Sequence, residues 1–78
     1  MEEKILENIL GSIGTMQTAL FHVMRETHDS KLDLQCDCIE DALRGIRGII
    51  NDMVEGRNVS PMRWTYIKNA CERYNENQ

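Results

Sequence analysis

The stretch that decides the fold spans residues 5–24 and reads ILENILGSIGTMQTALFHVM. Its apolar side chains recur three and four residues apart, which is the spacing of one face of an α-helix: Leu6, Ile9, Ile13, Met16, Leu20 and Val23. Neighbouring apolar residues widen this stripe to roughly 160° of the helix circumference. Because a helix with one partner needs only a narrow stripe, the sequence predicts that this helix meets more than one neighbour.

Two further segments repeat the helical pattern. The second carries the same spacing through Leu32, Ile39, Ala42, Ile46, Ile49 and Met53, and the third through Trp64, Ile67, Ala70, Cys71 and Tyr74. Ser30 with Asp33 resembles a capping box, Gly56 suits a helix end, and Ser60-Pro61 suits a helix start. We therefore predict helices at about 3–27, 31–55 and 61–75. The predicted fold is one all-α, bundle-like domain in which a shorter third helix packs across an antiparallel hairpin.

Composition places the 78-residue chain among small globular proteins. It is 41% hydrophobic and 28% charged, with a net charge of −4, which argues against binding nucleic acid by overall charge alone. Residues 8–24 lack formal charges but are too short and too polar for a membrane span of about 20 residues. The acidic start Met1-Glu2-Glu3-Lys4 does not resemble a signal peptide, and three cysteines favour a reducing compartment. We therefore predict a cytoplasmic protein.

The back of the first predicted helix lacks the charges that an exposed helix usually carries. Small or uncharged residues occupy it instead: Gly11, Gly14, Thr15, Thr18 and His22. Small side chains allow another helix to approach closely, so we predict a second contact surface here, either a homodimer seam or a docking site for a different protein. The alternative is an uncharged, solvated surface with two tolerated glycines.

No set of residues converges on a catalytic, cofactor or metal site. Cys36 and Cys38 would point about 200° apart on a helix, so they are predicted to be small buried hydrophobes, and Cys71 is predicted to lie in the core. His22 could approach Cys36 or Cys38 across the turn, but it points away from the apolar stripe that the cysteines border, which disfavours a metal site, and His28 lies in a predicted turn. The acidic residues early in the second helix suit a solvated face matched to the helix dipole (Asp33, Asp37, Glu40 and Asp41). We therefore predict a protein that is not an enzyme and uses no cofactor.

Function is predicted from the lack of catalytic, cofactor and metal-binding motifs. We expect a small regulator or inhibitor that binds a larger protein, forms a dimer and does not associate with a membrane. Small size and the lack of catalytic motifs are also typical of inhibitors encoded by phages or mobile elements. The alternative is a nucleic-acid-binding regulator of helix-turn-helix type. It would use basic residues of the second and third helices: Arg44, Arg47, Arg57, Arg63 and Lys68. These residues do not form a continuous basic face, which disfavours the alternative.

Overall fold

The computed structural model describes residues 3–76 as three α-helices: α1 (Glu3–Thr27), α2 (Ser30–Val54) and α3 (Pro61–Glu76). No strand occurs among these residues, so the predicted all-α class is confirmed. The helix ends lie within one residue of the predicted positions. Met1 and Glu2, which entered the argument against a signal peptide, lie outside the described residues.

The turn between α1 and α2 is capped by Asp29 and not by Ser30, the residue that the sequence suggested. His28 adopts a positive φ of 52°, and this reverses the chain direction directly before the cap. Asp29 is then extended, and its Oδ1 accepts hydrogen bonds from the backbone N–H groups of Lys31 (3.0 Å) and Leu32 (3.1 Å). Ser30 is already helical, because an aspartate one residue earlier satisfies the free N–H groups of the first turn.

The connection between α2 and α3 follows the predicted turn chemistry. Gly56 has a φ of 72°, a conformation that glycine adopts without strain. Its N–H donates to the Met53 carbonyl (3.2 Å), and the Arg57 N–H donates to the Asp52 carbonyl (2.8 Å). These two bonds form a Schellman motif, which ends α2. The Ser60 hydroxyl oxygen accepts the Met62 N–H (3.2 Å), and the next helix begins at Pro61.

The three helices form a single layer with α2 in the middle. α2 packs against α1 on one side and α3 on the other, while α1 and α3 do not pack against each other within residues 3–76. The Cα atoms extend 40 × 24 × 12 Å, and the shortest dimension is about the diameter of one helix. The third helix therefore does not pack across the hairpin as predicted; it extends the hairpin by one more helix.

The core of this layer lies along the two seams between the helices. Between α1 and α2, Leu6, Ile13 and Ile50 are buried and pack with Leu10, Leu43 and Val54. Between α2 and α3, Cys38 and Ala70 are almost fully buried, and Gly45 is buried where the Ile67 side chain leaves no room for a Cβ. Because each helix buries only the sides that meet a neighbour, part of each predicted apolar stripe stays on the surface. Met16, Ile46 and Met53 belong to the predicted apolar stripes, and the structure leaves them exposed.

Candidate interaction surface

One side of the layer, here called the polar face, is held together by hydrogen bonds between side chains. Glu40 is only 3% exposed, and its carboxylate accepts hydrogen bonds from the Gln17 side-chain amide (3.2 Å) and the Arg44 guanidinium (2.9 Å). Arg47 donates to Oε1 of Gln17 (3.2 Å), which links α2 back to α1. This corrects the prediction that Glu40 belongs to a solvated acidic face, because α1 packs over it and supplies an amide donor.

The seam between α2 and α3 is bridged by two aspartates of α2. Asp41 accepts hydrogen bonds from Arg73 (2.7 Å) and from the Tyr66 hydroxyl (3.3 Å). Asp52 is buried and accepts hydrogen bonds from Arg63 (2.7 Å) and Arg57 (2.9 Å), which hold the pKa of its carboxyl below the usual range. Partial burial, and then the Asp41 carboxylate, raise the pKa of Tyr66. These contacts fix the α3 position through charge as well as through packing.

The other side of the layer, here called the apolar face, exposes large hydrophobic side chains from all three helices. Several of them recur every seven residues, the repeat of a helix that packs along its length against another helix. The face consists of Ile5, Ile9, Met16 and Val23 of α1, Ile39, Ile46 and Met53 of α2, and Trp64 and Cys71 of α3. Met16 is 46% exposed, Ile46 37% and Trp64 58%.

Helix geometry places these residues on one side of the layer. In α2, the side chains that meet α1 and those that meet α3 point in opposite directions, and Ile39, Ile46 and Met53 point at about a right angle to both, given about 100° per residue. Because α1 and α3 run antiparallel to α2, their exposed apolar residues emerge on that same side. The grooves agree with this geometry, since Ile39 and Cys71 line one groove between α2 and α3, while Arg44 and Tyr66 line another.

The apolar face is also uncharged between its edges. The other residues that helical spacing directs to this side include Ser12, Leu20, Gln35 and Ala42, none of which carries a formal charge. Lys68, four residues after Trp64 and three before Cys71, places its charge at the outer margin of α3. Large hydrophobic side chains exposed together on one side of three helices are typical of an interaction site, whereas single scattered ones are not. The wide apolar stripes in the sequence indicate such a site, but they do not show which half of each stripe is buried.

The predicted contact surface on the back of α1 lies along the outer edge of the layer. Gly11, Thr15, Thr18 and His22 are exposed, and Gly14 is half-buried. The Thr15 hydroxyl donates to the Gly11 carbonyl (3.1 Å) and the Thr18 hydroxyl to the Gly14 carbonyl (3.0 Å). These five residues, called the α1 edge strip below, border a shallow cavity that reaches Arg47. Among residues 3–76, no atom outside the local helix would lie within 4 Å of a Cβ added at Gly11 or Gly14, so contact of the strip with a partner stays a prediction.

The basic residues proposed for nucleic-acid binding are mostly engaged within the chain. Arg57 and Arg63 both pair with Asp52, and Arg57 also pairs with Glu55. Arg44 pairs with Glu40 and Arg47 bonds to Gln17, whereas Lys68 is exposed on α3. Since phosphate contacts need cationic groups that face outward together, this pairing weakens the nucleic-acid alternative.

The cysteines divide into two kinds. Cys36 and Cys38 are buried, as predicted, on the two opposite sides of α2. Burial, and then the nearby Asp33, raise the pKa of the Cys36 thiol, so this thiol is poorly suited to act as a nucleophile. Cys71 is exposed and not in the core as predicted, because neither α1 nor α2 packs over that side of α3.

One group of carboxylates comes close enough together for a cation. Oxygen atoms of Asp37, Glu40 and Asp41 lie within 4.8 Å of one another. Arg44 and Arg73 already bind two of these three carboxylates, so the group functions as part of the ion-pair network.

None of the helices described within residues 3–76 has the length and hydropathy that a membrane-spanning helix requires.

Comparison with known proteins adds no relative: no family model, no curated protein and no solved structure matches the chain.

Proposed function

We propose that this chain is a small, non-enzymatic protein-interaction module that regulates or inhibits a larger protein by binding to it. The observation that carries this proposal is the apolar face, which covers one side of the layer and stays uncovered in the single chain. Side chains such as Met16, Ile46 and Trp64 favour contact with another macromolecule, because water is a poor solvent for a continuous apolar surface.

The remaining side chains support a role in binding without catalysis. Glu40 and Asp41 on the polar face are engaged by arginines, and burial raises the pKa of the Cys36 thiol. A nucleophile needs an adjacent base, and acid–base chemistry needs titratable groups that converge on a substrate site. On the polar face, the described side chains instead form hydrogen bonds and ion pairs between neighbouring helices.

Affinity capture with matched variants tests the proposal. The bait would be the wild-type chain, with Ile46→Glu as the variant of the apolar face and Thr15→Arg as the variant of the α1 edge strip. We expect a larger protein that the wild type retains and at least one variant loses, and this protein should form the same complex when both components are purified. If no protein shows such dependence on either surface while circular dichroism reports intact helices, the chain does not act by protein contact.

A further inference from the structure

We infer that a second copy of this chain covers the apolar face, so that two three-helix layers stack into a two-layer, six-helix dimer. This inference rests on the proposed function, in which the apolar face is a protein contact surface. It names the occupant of that face. The larger protein of the proposed function would then bind the dimer at another surface, such as the α1 edge strip, and Ile46→Glu would lose it because the dimer is lost.

The first argument is that one layer of helices is incomplete as a domain. Domains are built from two or three packed layers around a core, yet this chain supplies a layer only 12 Å thick in its Cα atoms. The breadth of the α1 stripe calls for more than one neighbour, and within residues 3–76 α1 packs against α2 alone. The missing neighbour must cover Ile9, Met16 and Val23, which lie on the apolar face.

The second argument is one of area. A compact monomer of 9.1 kDa exposes roughly 4,900 Å² by the scaling of surface with mass, and this chain exposes 5444 Å². A stable interface of standard size takes about 800 Å² from each partner. The broad side of the layer, which measures 40 by 24 Å between its Cα extremes, is large enough for that footprint.

The third argument concerns self-complementarity. In a two-fold symmetric dimer the same surface must fit itself, so any formal charge near the middle would face its own copy. The apolar face carries no formal charge between its edges, and its residues on α1 and α2 repeat at the same seven-residue spacing (Ile9, Met16, Val23; Ile39, Ile46, Met53). Ridges with the same repeat can interdigitate when two such layers stack.

A membrane surface is the other apolar environment that could cover this face. Helices that lie on membranes usually carry Lys and Arg along their polar side. This chain has a net charge of −4, and α1 has no Lys or Arg between residues 8 and 24. The charge pattern therefore favours a second copy over an acidic lipid surface.

The chain offers a closely matched pair of variants for the test. Met16 and Met62 are both exposed methionines, but Met16 lies on the apolar face whereas Met62 lines the groove on the polar face. Light scattering during size-exclusion chromatography should give the wild type and Met62→Glu a mass of twice 9.1 kDa at micromolar concentration, and Met16→Glu the mass of one chain. Circular dichroism confirms that both variants keep their helices; if Met16→Glu loses them, Ile46→Gln replaces it.

Two native side chains report on dissociation of the dimer without any substitution. Trp64, the only tryptophan, and Cys71 are exposed on the apolar face of the single chain. As the wild type is diluted through its dissociation, Trp64 emission should shift to longer wavelength and Cys71 should react faster with a thiol reagent. In Met16→Glu both signals should match the dilute wild type at every concentration.

The outcomes separate this inference from the proposed function. A wild type of single-chain mass at all concentrations, or a dimer that survives Met16→Glu, overturns the second copy as the occupant. If that monomer still binds a larger protein through Met16 or Ile46, the proposed function stands alone. If the monomer binds lipid vesicles and no protein, or leaves the apolar face in water, both proposals fail.

Discussion

Gly45 and Gly11 both lie inside helices, yet replacing each with alanine should change the free energy of unfolding in opposite directions. A Cβ at Gly45 would lie 2.6 Å from Cγ1 of Ile67 and 3.1 Å from Cδ1 of Tyr66. A Cβ at Gly11 would meet nothing within 4 Å. The same chemical change therefore tests the close approach of α2 and α3 at one site and an open edge of α1 at the other.

The magnitude follows from two opposing effects. Alanine in a helix interior is favoured over glycine by about 1 kcal/mol, a gain available at both positions. At Gly45 the contact with Ile67 must be relieved, and because χ1 of an isoleucine in a helix has one strongly preferred rotamer, relief requires either an unfavourable rotamer or a shift of α3. Overpacking of this kind costs about 1–3 kcal/mol. Gly11→Ala should thus stabilise the chain by up to about 1 kcal/mol, and Gly45→Ala should destabilise it by up to about 2 kcal/mol.

Urea unfolding followed by circular dichroism measures both changes. All proteins are compared at one concentration, because association adds to apparent stability. Each 1 kcal/mol corresponds to roughly 4–8 °C in melting temperature for a chain of this size. Equal stabilities for Gly11→Ala and Gly45→Ala would refute the described approach of α3 to α2. A destabilised Gly11→Ala would instead show that a partner packs closely on the α1 edge strip.

Three further predictions follow from the polar face. Because the pKa of Asp52 is lowered in the folded state, its contribution to stability is present above the usual Asp pKa of about 4 and is lost as the pH falls through the folded pKa. The melting temperature of Asp52→Asn should therefore depend less on pH below about 4 than that of the wild type. An equal pH dependence of the two melting temperatures would contradict this. Glu40→Ala leaves the Gln17 amide without its acceptor and should cost about 1–3 kcal/mol in urea unfolding, whereas Ala at exposed Asp37 should change little; similar losses would contradict the burial of Glu40. A gel shift at low salt should show no complex with duplex DNA or RNA, and a salt-sensitive complex would restore the nucleic-acid alternative.

The local structure was predictable from the sequence because it depends on residues close together in the chain. Gly56 and the Ser60-Pro61 pair mark the turn between α2 and α3 through their own backbone preferences. The one capping error, Ser30 in place of Asp29, arose because both residues are good caps. The positive φ of His28, which gives no comparable sequence signal, decides between them.

The polar contacts between helices could not be predicted, since they depend on the rotation and register of the helices. Glu40 and Asp37 are three residues apart in one acidic run, and only the position of α1 makes Glu40 buried and leaves Asp37 exposed. Asp52 likewise becomes a buried ion-pair centre because the Schellman turn returns Arg57 to it and α3 brings Arg63. Neither pairing leaves a periodic signal in the sequence.

The breadth of an apolar stripe predicts how many neighbours a helix has, but it does not say whether they come from the same chain. The sequence hypothesis places the missing contact of α1 on the α1 edge strip, and the structure places the uncovered hydrophobic side chains on the apolar face. Thr15 and Met16 are adjacent in sequence, yet they point about 100° apart on α1. Both are exposed, so a charge at either leaves the single chain folded. Loss of the dimer with Met16→Glu and its persistence with Thr15→Arg would assign the seam to the apolar face, and the opposite result would assign it to the strip.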